Sequence, residues 1–263
     1  MNTKVKLFGC IILILLCFVS NIEAHKKKDP KCPKNGTECS TCSSSGCNFE
    51  MHIGLQGGEL QIDVADFRIE GIGPTVEIRR SYASNSIINN PFGYGWTTNL
   101  DYKLVRNISG SINISNNDDV RVYNRNSDGS YSPTLISGNK LIKNEDGSFT
   151  ETLEDKSKYT YDTAGLLISI QDKNNNTLTL NYSNNKLSSI IDAAGRTTSF
   201  IWTGSYITRI TDPANRNFNY SYSSGNLISF TNPAGYTYSF QYDADRRITK
   251  ITDPSNYETL FTS

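Results

Sequence analysis

Between Tyr159 and Asn256 one pattern recurs five times: an aromatic residue, a turn, an apolar residue, another three places on, and an Asp or Asn two places later. The anchors Asp172, Asp192, Asp212, Asn232 and Asp253 are spaced by 20, 20, 20 and 21 residues. Before them stand the apolar pairs Leu167 and Ile170, Leu187 and Ile190, Ile207 and Ile210, Leu227 and Phe230, and Ile248 and Ile251. Each pair follows an aromatic: Tyr161, Tyr182, Trp202, Tyr222 and Tyr242. A unit this short cannot bury its own apolar face, so a fixed period of this length implies units stacked into one continuous core.

Alternation such as Phe218, Tyr220, Tyr222 or Tyr238, Phe240, Tyr242 puts the aromatics on one face of an extended strand, because strand side chains repeat with period two. Turn-forming residues follow at Ser183-Asn184-Asn185, Thr203-Gly204-Ser205 and Ser223-Ser224-Gly225. A second short strand then runs to the anchor, which opens tetrads such as Asp212-Pro213-Ala214-Asn215 and Asn232-Pro233-Ala234-Gly235. Asp or Asn caps backbone N–H groups, Pro presets φ, and Gly or Asn takes the positive φ, giving a type I turn closed by a left-handed residue. Two strands and two turns fill one period, so each unit is a β-hairpin. The expected fold is all-β: antiparallel hairpin repeats forming a spiral sheet, preceded by a β-rich module.

The segments Tyr161-Asp162-Thr163-Ala164-Gly165-Leu166-Leu167 with Asp172, and Tyr242-Asp243-Ala244-Asp245-Arg246-Arg247-Ile248 with Asp253, resemble the YD or RHS repeat, roughly Tyr-Asp-x-x-Gly-Arg-Leu-x-x-x-x-Asp. Upstream, Asp66-Phe67, Arg80-Ser81-Tyr82-Ala83-Ser84 and Phe92-Gly93-Tyr94-Gly95-Trp96-Thr97 resemble the module that precedes the repeats in RHS proteins. The resemblance covers roughly Gly54 to the C-terminus. It implies a secreted or exported protein whose repeats wind a hollow shell that encloses a C-terminal toxin or serves in surface adhesion. The chain stops at Ser263 midway through a unit, with fewer repeats than a closed shell needs.

Five segments are expected: a signal peptide over 1–24, a Cys-rich polar leader over 25–50, a β module over 51–130, a bridging hairpin region over 131–158, and the repeat array over 159–263. Lys4 and Lys6, an apolar run from Leu7 to Val19, and a small residue at Ala24 read as a signal cleaved after Ala24. Membrane anchoring by residues 7–19 is the alternative, although the run is short for a bilayer. Cys32, Cys39, Cys42 and Cys47 have spacing suited to metal, but thiols of an exported chain oxidise, which favours two disulfides with the pairing open among three arrangements.

Formal net charge is zero, which argues against nucleic acid as a partner. A histidine-based catalytic site would have to rest on His52, and carboxylate pairs occur at Asp63 and Asp66, Asp118 and Asp119, and Asp243 and Asp245. Turn composition around most of these favours structural tasks, so no catalysis and no cofactor are expected. The run around Gly93, Gly95 and Trp96, with Arg80 and Tyr82 upstream, has two readings. Its rings form a platform for sugars, or its glycines let Trp96 fold onto the array and cover an open strand end, the favoured reading. The functional expectation is an exported non-catalytic scaffold, with further repeats or an enclosed effector as partners. The alternative is an adhesion module that contacts a glycan or receptor through aromatic rows. The open strand edge near Tyr257 to Phe261 is expected to promote self-association.

Overall fold

A computed structural model describes residues 49–53, 59–116, 119–135 and 137–261. The expected signal peptide, Cys32, Cys39, Cys42, Cys47 and Asp118 lie outside the described residues. Every regular element described is a strand. The first six are β1 (Phe49–Ile53), β2 (Leu60–Ile69), β3 (Val76–Ala83), β4 (Asn89–Asn90), β5 (Gly93–Tyr94) and β6 (Trp96–Thr98). They form an antiparallel sheet in the order β1-β2-β3-β6 and a two-stranded ribbon of β4 and β5. Leu60, Ile62 and Val64 of β2 and Val76, Ile78 and Tyr82 of β3 are buried, as period-two alternation requires.

The other strands pair antiparallel, each with the next in sequence. They are β7 (Lys103–Arg106), β8 (Ile112–Ser115), β9 (Val120–Arg125), β10 (Tyr131–Pro133), β11 (Lys140–Lys143), β12 (Phe149–Thr152), β13 (Lys158–Tyr161), β14 (Leu167–Gln171) and β15 (Thr177–Ser183). β16 (Lys186–Ile191), β17 (Thr197–Thr203), β18 (Tyr206–Thr211), β19 (Asn217–Ser223), β20 (Asn226–Thr231), β21 (Thr237–Tyr242), β22 (Ile248–Thr252) and β23 (Glu258–Leu260) complete the series. The sheet is open: β7 pairs with β8 and β23 with β22, and no ladder joins β7 to β23. A single bridge from Lys103 to Leu166, with the Leu104 N–H donating to Gly165 O at 2.9 Å, folds β7 onto the β13–β14 turn. The sheet thus coils past its own beginning. Hydrogen bonding changes sheets at Asn99 to Tyr102, so β7 to β12 are continuous with the repeats.

Two kinds of turn alternate along the array. Short turns carry positive φ at Asn184 and Asn185 (52° and 59°) and at Ser224 and Gly225 (51° and 82°), the handedness that two-residue hairpins need. The anchor turns place Asn175, Gly195, Asn215, Gly235 and Asn256 at φ between 59° and 82°. In each, the anchor side-chain oxygen accepts the N–H groups two and four residues on, at 2.8 to 3.0 Å. Asp162 and Asp243, of the Tyr-Asp pairs, do the same.

Ladders between successive hairpins stop at Ser169↔Thr179, Ser189↔Ser199, Arg209↔Asn219 and Ser229↔Ser239. Beyond those pairs the strands part, so Leu167, Leu187, Ile207 and Leu227 pair within their own hairpins but not with the next one. The repeat aromatic of the next unit bridges the gap. Tyr182, Trp202, Tyr222 and Tyr242 each sit at a β-bulge and donate to the carbonyl 15 residues back, at 2.9, 2.7, 2.7 and 2.8 Å. The position therefore demands a ring with a donor, which Tyr and Trp provide and Phe does not.

This geometry modifies the expected core. Tyr161, Leu167, Leu187, Ile190, Ile207, Ile210, Leu227, Phe230, Ile248 and Ile251 are buried. Tyr182, Trp202, Tyr222 and Tyr242 are only half-buried, because their polar tips reach back along the sheet margin. Ile170 is also half-buried, lining a cleft with Val76, Leu100 and Tyr159.

Candidate functional site

The densest chemistry lies where the β1-β2-β3-β6 module rests on the fourth and fifth hairpins. The ladder between β2 and β3 shifts register between Ala65 and Phe67, and this bulge turns both Asp66 and Phe67 inward. Phe67 meets Phe218 at 4.6 Å between ring centroids. Asp66 receives Arg80 Nε on Oδ2 and Nη2 on Oδ1, both at 2.7 Å, and the Tyr220 hydroxyl donates to Oδ2 at 2.6 Å. Both charged side chains are 0% exposed. The Arg80 guanidinium lies 4.8 to 5.5 Å from the ring centroids of Phe92, Trp96, Tyr220 and Phe230. Its Nη1 is buried without a hydrogen-bond partner among the described residues.

Burial lowers the proton affinity of Arg80, but the Asp66 carboxylate more than reverses this, so the guanidinium stays charged. Burial, reinforced by Asp66, pushes the Tyr220 hydroxyl well above its usual range. Arg80 thus stays charged and the Tyr220 phenol neutral, and the triad ties the two sheets together.

The other module residues singled out in the sequence converge on the same junction. Tyr82 accepts the Ile248 N–H at 3.0 Å and donates to Arg246 O at 3.3 Å. Trp96, 0% exposed, donates its indole N–H to the Tyr242 hydroxyl at 3.1 Å and packs edge-on against Phe240. Gly93 and Gly95 have φ of 95° and 76°. A β-carbon on Gly93 would stand 2.7 Å from Gly225 O, and one on Gly95 would stand 2.7 Å from the Tyr82 ring. That close approach lets the Tyr94 N–H donate to Gly225 O at 3.0 Å, while Ile207 N–H donates to Pro91 O at 2.9 Å. Tyr94 itself lies under the Arg246 guanidinium, 3.7 Å from its ring centroid. The run around Trp96 is built into the junction and does not form an open platform.

A second triad of the same form sits in the long sheet ahead of the repeats, between β9 and β12. Glu151, 0% exposed, takes Arg121 Nε at 2.6 Å and the Tyr123 hydroxyl at 2.6 Å on Oε1, with Arg121 Nη2 at 2.9 Å on Oε2. Here the arginine is 19% exposed and also reaches Asp119 at 2.8 Å. Neither triad was anticipated from the sequence, where Arg80 stood as a motif residue and Asp66 as a motif residue and a member of the candidate carboxylate pair with Asp63. A signal was present. Asp66 shares the inward parity of Leu60, Ile62 and Val64, Arg80 that of Val76 and Ile78, and Glu151 that of Phe149. Charges of opposite sign at core positions of separate strands are a pattern that burial tolerates only in pairs.

The catalytic candidates are dispersed. Asp63 accepts the Ser81 hydroxyl at 2.5 Å, and Asp243 and Asp245 both pair with Arg247. His52 lies on β1, of which only the backbone is described. Among the described residues, no three His, Cys, Asp or Glu side chains are grouped to hold a metal ion.

An open coil of antiparallel hairpins, joined unit to unit by aromatic donors and closed over by a docked β module, defines a repeat scaffold. Residues 220–257 match the family described as RHS Repeat, and residues 51–129 match a domain of unknown function, DUF6531. The match over 220–257 falls on the hairpins whose motifs resemble the RHS/YD repeat, and the match over 51–129 falls on the β module ahead of them. Over 126 residues it is 29% identical to the tRNA3(Ser)-specific nuclease WapA of Bacillus spizizenii and 27% identical to the tRNA nuclease WapA of Bacillus subtilis strain 168. The match covers 48% of this chain and 5% of each relative's length.

Proposed function

We propose that this chain is an exported, non-catalytic scaffold: the opening segment of an RHS/YD shell that encloses or presents an effector carried on further sequence. The ladder of aromatic donors carries the reading. Each of the first four hairpins receives a side-chain donor from the hairpin after it, so the array extends by repetition. The acidic anchors are likewise occupied with turn N–H groups. Adhesion through aromatic rows draws less support, because the rings of Tyr182, Trp202, Tyr222 and Tyr242 are half-buried with their polar tips engaged.

The test has two stages. Sequencing past the codon for Ser263 should find further in-frame hairpin units leading into a domain of unrelated sequence. In the resulting full polypeptide, that terminal domain should resist proteinase K under conditions that digest the isolated domain. Equal digestion of the two overturns the carrier reading. Cleavage of total tRNA by the present chain, abolished by His52→Ala, overturns the non-catalytic one.

A further inference from the structure

We propose that the module formed by β1, β2, β3 and β6 is a strap that opens as a unit from the fourth and fifth hairpins, ahead of global unfolding, with the Asp66–Arg80–Tyr220 triad as its clasp. The hydrogen-bond topology carries the inference. Among the described residues, every ladder of β1, β2, β3 and β6 lies within their own sheet, every ladder of β7 to β23 lies within the long sheet, and no strand pairing joins the two. Regions joined by few backbone bonds separate as cooperative units at a free energy below the global one.

Discrete ties cross the junction, and they concentrate on the fourth and fifth hairpins. Tyr220 holds Asp66, Tyr82 holds the backbone of Arg246 and Ile248, Trp96 holds Tyr242, and Tyr94 holds Gly225. Pro91 O takes Ile207 N–H of the third hairpin, and Glu70 O takes Arg196 of the preceding anchor turn at 2.9 Å. The Asp66–Arg80 pair is module-internal, yet the phenol and two of the four rings that shield it come from elsewhere: Tyr220 and Phe230 belong to the array, and Trp96 and Phe92 to the module. Opening returns a bidentate ion pair to water, where both charges are solvated. The open state therefore keeps its own sheet and its own salt bridge, which is what a hinged element requires. It exposes the inward faces of Phe218, Tyr220, Phe230 and Phe240, an apolar strip now covered by the module. This inference does not depend on the carrier reading.

Native-state hydrogen exchange on the full chain tests it, with urea raised stepwise below the unfolding midpoint. Amides of β2, β3 and β6 should exchange through a shared opening with a smaller urea dependence than the amides of β15 to β18. Tyr220→Phe, which removes one hydroxyl from the array, should speed exchange in β2, β3 and β6 by about tenfold while leaving β15 to β18 within about twofold. If all these amides merge into a single isotherm in the unmodified protein, there is no strap. If Tyr220→Phe accelerates both regions alike, or neither, the triad is not its clasp. Should that variant fail to fold, the urea series on the unmodified chain alone decides the matter.

Discussion

The two triads have one chemistry and two settings. In each, a carboxylate takes the Nε of an arginine and a tyrosine hydroxyl on one oxygen, and Nη2 on the other. At the junction the residues are separated by up to 154 positions, and both charges are sealed from water. Within the long sheet, between β9 and β12, the separations are 28 and 30 positions, and Arg121 keeps a second carboxylate and an opening to solvent. The contrast separates a contact that joins two sheets from one that tightens a single sheet. A buried pair rewards its own completeness less than it punishes the loss of one member.

The largest expected effect follows directly. Asp66→Ala leaves Arg80 charged and uncompensated in an aromatic cage and should cost about 3 to 5 kcal/mol in urea unfolding. Glu151→Ala removes the corresponding carboxylate, but Arg121 retains Asp119 and water, so a loss of about 1 to 3 kcal/mol is expected. Equal losses would mean that exposure of the arginine does not distinguish the sites. A larger loss at Glu151 would make the triad within the long sheet the stronger of the two.

Next in size is the repeat ladder. Trp202→Ala removes a half-buried ring and the donor to Leu187 O, for an expected loss of about 3 kcal/mol. Trp202→Phe keeps most of the ring and should cost only about 1 kcal/mol, the net value of the hydrogen bond. A ladder that merely decorates the sheet would show no penalty for Phe. Comparison with Tyr220→Phe sharpens the difference between regions: the ladder change should lower protection in neighbouring hairpins, whereas the junction change should act on the module.

Alkaline pH probes both regions at once. Burial pushes Tyr82 at the junction and Tyr159 in the first coil up to about 12, and raises Tyr220 and Tyr123 as well. A tyrosine whose folded value is raised contributes stability that is complete below its unfolded pKa of about 10 and is lost as pH rises through the folded value. Stability should be flat with respect to these groups from pH 7 to 9, then fall between about 10 and 12. If the module is a strap, its amides lose protection first in that interval. Simultaneous loss would merge the regions into one cooperative unit.

What the sequence disclosed was mostly local. The anchor turns, the short turns and the hairpin period each depend on contacts within a few residues, so Asp212-Pro213-Ala214-Asn215 carries its own geometry. The half-burial of Trp202 was hidden, because its partner is a carbonyl at the point where two strands part, a consequence of register. The clasp was hidden for a further reason: Tyr220 looks like any inward ring of its strand until Asp66 is brought to it. Parity alone marked Asp66, Arg80 and Glu151 as core positions, and only the folded coil shows which partner each one finds.

The smallest effect is expected at the anchors, and it tests whether they act as charges or as acceptors. Asn232 makes the same two turn bonds, at 3.0 Å each, that Asp253 makes at 2.8 Å. An amide oxygen is therefore a sufficient acceptor for the geometry. Asp253→Asn should change stability by no more than about 0.5 kcal/mol near neutral pH, within the range of ordinary surface substitutions. Asp192→Asn should cost more, because Asp192 is 7% exposed and its second oxygen takes Arg196 Nε at 2.7 Å, in the turn that also holds Glu70 of the module. The two substitutions remove the same charge from the same kind of turn, so any difference between them measures what the neighbouring arginine and the module add. Equal small effects would reduce the Arg196 contact to a surface feature and leave the strap held by the third, fourth and fifth hairpins.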